Sequence, residues 1–453
     1  MATRSSEGAP GAADRLDGLR ADALAAVRRY AEEALVQPEF VPGETNVPVA
    51  GRVIGPPELE ALTDASLDGW LTEGRFAREF SAAFAQEVGR SQALLVGSGS
   101  QANLLAVAAT TSHLHERPLQ PGDEVITPAL GFSTTVGPLY QHGLVPAYVD
   151  VELDTFNPSL ESIAAAIGDR TRAILVAHCL GNPFDASGVA ELCREHDLVL
   201  IEDCCDALGS TFGGKTVGTF GQAATFSFYP AHHMTMGEGG AVVADDPVWL
   251  RALGSLREWG RDCWCPPGVN DACGRRFEGR FGDLPAGFDH KYVFSHIGYN
   301  FKVTDMQAAL GLAQLDRLEG FGQRRRHNFA RLHEALSPLS DQLVLPRSLP
   351  DADPSWFGYP FTLRHGSSDE RRELQRFLLE RKIDNRLLLG GNLTRQPGFM
   401  GLEHRVTGSL DNADKITEAT VWVGCYPGLS DEMIDWIAES VTAFVSERAR
   451  ASG

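Results

Sequence analysis

Residues 93–110 read ALLVGSGSQANLLAVAAT: an apolar run of strand character, a tight Gly/Ser turn, then an apolar helical run. Strand, turn and helix in that order are the unit from which a parallel sheet covered by helices is built. The same beat recurs down the chain. DEVITPA (123–129), VPAYVDV (145–151), RAILVAH (172–178), LVLIEDC (198–204), ATFSF (224–228) and GGAVVAD (239–245) are short apolar runs separated by helical stretches. The alternation begins near residue 58 and predicts an α/β fold with a largely parallel central sheet.

Outward from that core the pattern changes. Residues 15–36 carry apolar side chains at helical spacing (Leu16, Leu19, Ala23, Leu24, Val27, Tyr30), which predicts an amphipathic helix. A Gly/Pro-rich stretch, VPGETNVPVAGRVIGPPE, follows it and reads as extended or looped. A long helical segment over 303–336 leads out of the α/β region, and the rest mixes strands and helices. The expected organisation is an N-terminal helix and extended segment (1–57), a large α/β domain (58–325) and a smaller C-terminal α/β domain (326–453).

The chain has 453 residues, room for one large domain and a smaller one. Its 60 acidic against 40 basic residues give a formal charge of −20. That balance disfavours nucleic-acid backbones and anionic lipid, both of which need a cationic surface. A local pocket can still be positive and take a small anion. Met1 to Asp14 is small and polar, without the apolar core of a signal peptide, and no apolar run reaches membrane-spanning length. A soluble, cytoplasmic protein is expected. Eight cysteines in so long a chain do not make a secreted disulfide framework, and three of them cluster at Cys263, Cys265 and Cys273.

Three stretches could carry chemistry. Gly97-Ser98-Gly99-Ser100-Gln101-Ala102-Asn103 opens a helix with free N–H groups and hydroxyls, which suits a phosphate; a plain serine N-cap accounts for it as well. Ile201-Glu202-Asp203 ends a strand at the carboxyl edge of the sheet, where open α/β sheets bind ligands. An aspartate there can keep a pyridinium nitrogen protonated, or serve only as a helix cap. Phe226-Ser227-Phe228-Tyr229-Pro230-Ala231-His232-His233 runs into a Gly-Glu-Gly-Gly turn; the histidine pair suits acid–base work near neutrality, and equally a structural role.

Taken together these residues resemble the DegT/DnrJ/EryC1/StrS sugar aminotransferase family, whose fold is the fold type I vitamin-B6 architecture. Gly298-Tyr299-Asn300 followed by Thr304-Asp305 and Gln307-Ala308-Ala309 resembles the same family. Where ordinary members carry the lysine that binds the cofactor, five residues after the serine of Ser-Phe, this chain has His232. It has five lysines in all, none before Lys215. The departure is similar to the 4-keto-6-deoxyhexose 3-dehydrases, in which histidine replaces lysine. Phe40-Val41-Pro42-Gly43, Ser66-Leu67-Asp68-Gly69-Trp70-Leu71, Asp353-Pro354-Ser355-Trp356-Phe357-Gly358 and Gly391-Asn392-Leu393-Thr394-Arg395-Gln396-Pro397 extend the likeness nearly end to end.

The resemblance implies that pyridoxamine 5′-phosphate, the amine form of pyridoxal phosphate, is held without a covalent bond. Its amine would condense with the C4 ketone of a nucleotide-linked sugar, CDP-4-keto-6-deoxyglucose or dTDP-4-keto-2,6-dideoxyglucose. His232 would be the base, Asp203 the partner of the ring nitrogen, and Phe132 the stacking aromatic. Ser98, Gly99, Ser100 and Ser227 would hold the phosphate, joined by Asn300 from the neighbouring subunit of a homodimer. Arg386, Asn392 and Arg395 would reach the sugar nucleotide.

The cysteines divide the subfamily. One branch lacks a metal and renews its cofactor with glutamate. The other, of the CDP-4-keto-6-deoxyglucose 3-dehydrase type, carries a [2Fe–2S] cluster with ligands spaced C-x57-C-x-C-x7-C. Cys205, Cys263, Cys265 and Cys273 reproduce that spacing, which fits neither common zinc nor plant-ferredoxin patterns. The resemblance therefore implies an iron–sulfur insertion around 258–295 and a separate reductase or ferredoxin as electron donor, since no Gly-x-Gly-x-x-Gly follows a strand here. If Asp203 and Cys205 hold cofactor and cluster, their α-carbons are at most about 7 Å apart, close enough for direct electron transfer.

Overall fold

Each apolar run named above forms a strand: β1 (Gln92–Val96), β2 (Glu124–Pro128), β3 (Val145–Val149), β4 (Thr171–Ala177), β5 (Val199–Asp203), β6 (Ala223–Ser227) and β7 (Gly240–Ala244). The computed structural model describes residues 12–265 and 268–451; most of the polar N-terminal stretch lies outside them. The strands make one sheet in the order β1–β7–β6–β5–β4–β2–β3, with Arg405–Val406 added beyond β3. β7 runs antiparallel to both neighbours, and every other pairing is parallel. This is the α/β class with a mostly parallel sheet that the sequence implied. β2, β3, β6 and β7 are buried along their whole length, so their sequences are continuous apolar runs rather than alternating ones.

Strand alternation decides what faces the site. In β6, Phe226 and the following Phe228 point into an aromatic cluster, while Ser227 between them points the other way. Phe84, on the helix Arg75–Glu87, meets Phe226 at 5.1 Å and Phe228 at 5.0 Å, both edge-on. In β5 the same rule sends Ile201 and Asp203 to one face and Leu200 and Glu202 to the other.

The C-terminal part builds a second, antiparallel sheet from Leu343–Val344, Gly358–Leu363, Thr420–Gly424 and Asn385–Arg386. Helices Leu318–Leu336 and Asp431–Ala451 cover it, burying Leu332, Leu336, Ile434, Ile437 and Val441 against Tyr359 and Phe361. Backbone pairing also crosses between the parts of the chain: Arg405–Val406 joins the large sheet, Ala352–Asp353 pairs with Thr211–Phe212, Asn392 bridges to Leu130, and Val47 of the extended N-terminal stretch bridges to Ile383.

Two helical expectations need adjusting. The segment 303–336 is two helices, Asp305–Leu315 and Leu318–Leu336. A capping box of Thr304 and Gln307 starts the first, and at the break Arg317 turns aside to pair with the buried Glu58 at 2.7 Å. The N-terminal helix exists, over Ala12–Ala34, but Leu16, Leu19 and Tyr30 of its expected apolar face are exposed. It is tied to the helix Pro56–Leu67 and the residue after it by ions instead, Arg20 to Asp64 and Asp68 and Arg28 to Glu60. Among the described residues no helix is long and apolar enough to cross a membrane.

Candidate active site

Asp203 ends β5 at the carboxyl edge of the sheet and is 4% exposed. Its Oδ2 accepts from Asn103 Nδ2 (2.9 Å) and Thr135 Oγ1 (2.7 Å), and its Oδ1 from the backbone N–H of Cys205 (3.1 Å). Thr225 Oγ1 lies 3.5 Å from Oδ1 but gives its single proton to Asn103 Oδ1 at 2.6 Å. Oδ1 therefore keeps a lone pair for one further donor. A buried carboxylate held by three donors with one acceptor site open fits a protonated ring nitrogen.

The donors come from the helices that frame an anion cradle. Helix α1 (Gly99–Thr110), which carries Asn103, has Ser98 as its N-cap, accepting from Gln101 N–H at 3.2 Å. Gly99 and Ser100 N–H stand in the first turn, at the positive end of the helix dipole. A Cβ on Gly99 would come within 2.5 Å of Ser227 Cβ and 3.0 Å of Cys205 Sγ, so only glycine fits where helix start, β6 and the chain after β5 converge. Ser100 Oγ bonds Thr134 Oγ1 at 3.0 Å. Helix α2 (Ser133–Gln141) brings Thr135 to Asp203 and starts at Phe132, which is 53% exposed. Phosphate cradle, open apolar ring and carboxylate are thus built from shared elements, and the set fits a phosphorylated pyridine.

The adjacent histidines have different surroundings. His233 is buried, and its Nε2–H donates to the carbonyl of Ser355 at 2.6 Å. Burial, helped by the charge of Arg325, pushes its pKa well below the usual imidazole value, so it stays neutral and structural. His232 is partly exposed, and its Nδ1 lies 3.3 Å from Asp206 Oδ1, an approach that falls short of a hydrogen bond. With Nδ1 turned to that carboxylate, Nε2 is the atom left to accept a proton. Phe357, 5.2 Å away between ring centroids, walls the imidazole.

Cys263 and Cys265 line a cleft of about 800 Å³ along β1 with Leu94, Arg257 and Trp264. Burial pushes the Cys263 thiol up, and the Cys265 and Cys273 thiols add to it. Backbone N–H groups point at their sulfurs: Cys265 N to Cys263 Sγ (3.5 Å), Ala272 N to Cys265 Sγ (3.3 Å) and Arg275 N to Cys273 Sγ (3.4 Å). Three cysteines in one irregular loop, each sulfur met by a backbone N–H, suit a soft thiolate-bound metal. Cys205 stands under the Gly99 turn, with its thiol pushed up by burial and by Asp203. Among the described residues, His178, Glu202 and Cys204 have donor atoms within 4.8 Å of one another. The Glu202 oxygens, however, already accept from His178 and from the N–H groups of Gly218, Phe220 and Gly221, which makes that group structural.

The other expected contacts lie farther out. Asn300 is exposed and accepts from Lys302 Nζ at 3.0 Å. The segment 390–393 bonds to the backbone of Ala129 and Gly131, beside Phe132. Within it Asn392 is buried, its amide used on Asp414 and Thr394. Arg395 pairs with Asp414, and Arg386 is exposed. Asn103, Thr135, Thr225, Asp206 and Arg325 were not singled out in the sequence. Only Asn103, one helical turn beyond Gly99, carried a positional signal.

The model described as the DegT/DnrJ/EryC1/StrS aminotransferase family matches residues 53–442. Lipopolysaccharide biosynthesis protein RfbH of Salmonella typhimurium is 50% identical over 94% of this chain and 98% of its own length. The dTDP-4-dehydro-2,6-dideoxy-D-glucose 3-dehydratase of Saccharopolyspora spinosa is 49% identical over 98% and 94%. A solved GDP-4-keto-6-deoxymannose 3-dehydratase with a trapped PLP–glutamate geminal diamine matches with a TM-score of 0.79 and 30% identity, over 87% of this chain and 100% of that one.

Proposed function

Because the chain belongs to the DegT/DnrJ/EryC1/StrS aminotransferase family, we propose that it is a 3-dehydratase that removes the C3 hydroxyl of a nucleotide-linked 4-keto-6-deoxyhexose. The observation that carries this reading is an imidazole, paired with Asp206 and walled by Phe357, in the turn where a lysine would be needed for transamination. The Saccharopolyspora relative favours a dTDP-4-keto-2,6-dideoxyhexose as substrate; CDP-4-keto-6-deoxyglucose is the alternative.

Pyridoxamine 5′-phosphate, when bound, supplies an amine for the C4 ketone and a ring that accepts electrons. Ser98, Gly99, Ser100 and Ser227 would hold its phosphate, Phe132 its face and Asp203 its nitrogen. His232 Nε2 takes a proton at the reacting carbon, with Asp206 stabilising the imidazolium that forms. The same imidazole would return that proton to the departing C3 oxygen. His233, fixed on Ser355, takes no part.

Net deoxygenation needs two electrons. We assign Cys205, Cys263, Cys265 and Cys273 as ligands of a [2Fe–2S] cluster, whose chemistry is single-electron transfer from a reductase or ferredoxin. A homodimer completes the phosphate site through Asn300; the exposed Phe294 and Ile297 (97%) beside it favour a partner there. A second reading has support in the glutamate adduct trapped in the solved relative: renewal of the cofactor by glutamate without a cluster.

Iron and acid-labile sulfide in anaerobically purified protein separate the two. About two of each per chain, with bands that bleach on reduction, are expected. Cys263→Ser should lose those bands together with reductase-driven deoxygenation. Zinc or no metal, with turnover that requires glutamate, would establish the second reading.

A further inference from the structure

Arg325 sits in the middle of the helix Leu318–Leu336 and is 1% exposed, yet no carboxylate pairs with it among the described residues. Its Nη1 donates to the carbonyls of Trp356 and Phe357, both at 3.1 Å, and its Nη2 to the carbonyl of His232, also at 3.1 Å. Burial pushes its pKa down to about 10, so the group is still a cation at neutral pH. An unpaired buried cation is costly, and such a group persists where the surroundings depend on its geometry.

That geometry joins two separate pieces of chain. One is the irregular turn after β6, which carries His232 and His233 and is pinned at its ends by Met236 N–H to Phe228 O (2.9 Å). The other is Ser355–Phe357, entering the second sheet. The two also meet through His233 Nε2 on Ser355 O and through the Phe357 ring, which lies 5.2 Å from the His232 ring and 6.2 Å from that of His233. The guanidinium stands 5.9 Å from the Phe357 centroid. A planar fork can serve three carbonyls at once; an ammonium on a flexible stem cannot hold the same three in one plane.

We propose that Arg325 is a positioning residue: its guanidinium locks the His232 turn onto the Ser355–Phe357 segment and so fixes where the imidazole stands relative to Asp206 and Phe357. The inference rests on the reading of His232 as the base. It adds that the placement of the base depends on a residue that touches neither substrate nor cofactor.

Arg325→Lys keeps the charge and gives up the fork. In cofactor-free protein, the imidazole resonance of His232, assigned by its absence from His232→Asn, is expected to shift and broaden in Arg325→Lys. With a nucleotide 4-keto sugar, kcat is expected to fall roughly tenfold to a hundredfold while KM stays within about twofold, the pattern of a misplaced catalytic group. Arg325→Met should fall further; if it does not fold, the lysine variant alone decides. An unshifted His232 resonance in Arg325→Lys, or a kcat equal to the parent's with only a lower melting temperature, overturns the proposal and makes Arg325 structural. If the parent turns over no such sugar, the dehydratase reading fails, and the resonance still decides the role of Arg325.

Discussion

His232→Asn is expected to fold, to retain pyridoxamine 5′-phosphate and to lose C3-hydroxyl elimination by a factor of roughly 10²–10⁴, the range for removing a positioned general base. The prediction is sharp because the imidazole holds nothing up. Its backbone carbonyl, which Arg325 grips, survives the substitution, and its ring is partly exposed. Asparagine fills similar space but has no nitrogen that titrates near neutrality. Cofactor retention is read from the absorption spectrum after desalting, and elimination from the mass of the sugar nucleotide. His233→Asn is the contrasting case: it removes the bond to Ser355 O and should lower the melting temperature. Full turnover by His232→Asn would sink the assignment of the base.

Asp203→Asn has the second largest expected effect. The carboxylate accepts from Asn103, Thr135 and the Cys205 N–H, three donors that suit an anion. An amide must turn its NH₂ toward one of them or toward the ring nitrogen, so a donor faces a donor in a buried place. The loss of one charge-assisted contact, about 3 kcal/mol, corresponds to roughly two orders of magnitude in rate. Weaker binding of pyridoxamine 5′-phosphate should accompany it, measured by titration of the apo protein. Binding and rate equal to the parent's would show that Asp203 does not face the ring.

The sheet was legible because strands largely buried on both faces must be mostly apolar, and seven apolar runs between helices leave few other architectures. The helix break at 316–317 was not, because no glycine or proline marks it; the cause is Arg317 reaching Glu58, more than two hundred residues away. The exposed side of the N-terminal helix departs from its apolar pattern for a related reason. Periodicity reports an apolar stripe, but ion pairs hold this helix to its neighbour.

In the site, Asp203 could be placed from its strand end, whereas the roles of Ser227 and His232 came only from the family resemblance. The shell around them could not be placed either way. Asn103, Thr135 and Thr225 converge on Asp203 from three different elements, and Arg325 meets His232 from the C-terminal part of the chain. Such convergence exists only after folding. The division of labour between the two histidines was likewise invisible in His-His and is decided by which ring reaches Ser355 and which reaches Asp206.

The most direct test of the account is to incubate the protein anaerobically with pyridoxamine 5′-phosphate, dTDP-4-keto-2,6-dideoxyglucose and a reducing partner, then to determine the product by mass and NMR. The account predicts a sugar that has lost its C3 oxygen and kept the C4 ketone. A sugar with its C3 hydroxyl intact and an amine at C4 would contradict it and make the chain an aminotransferase after all.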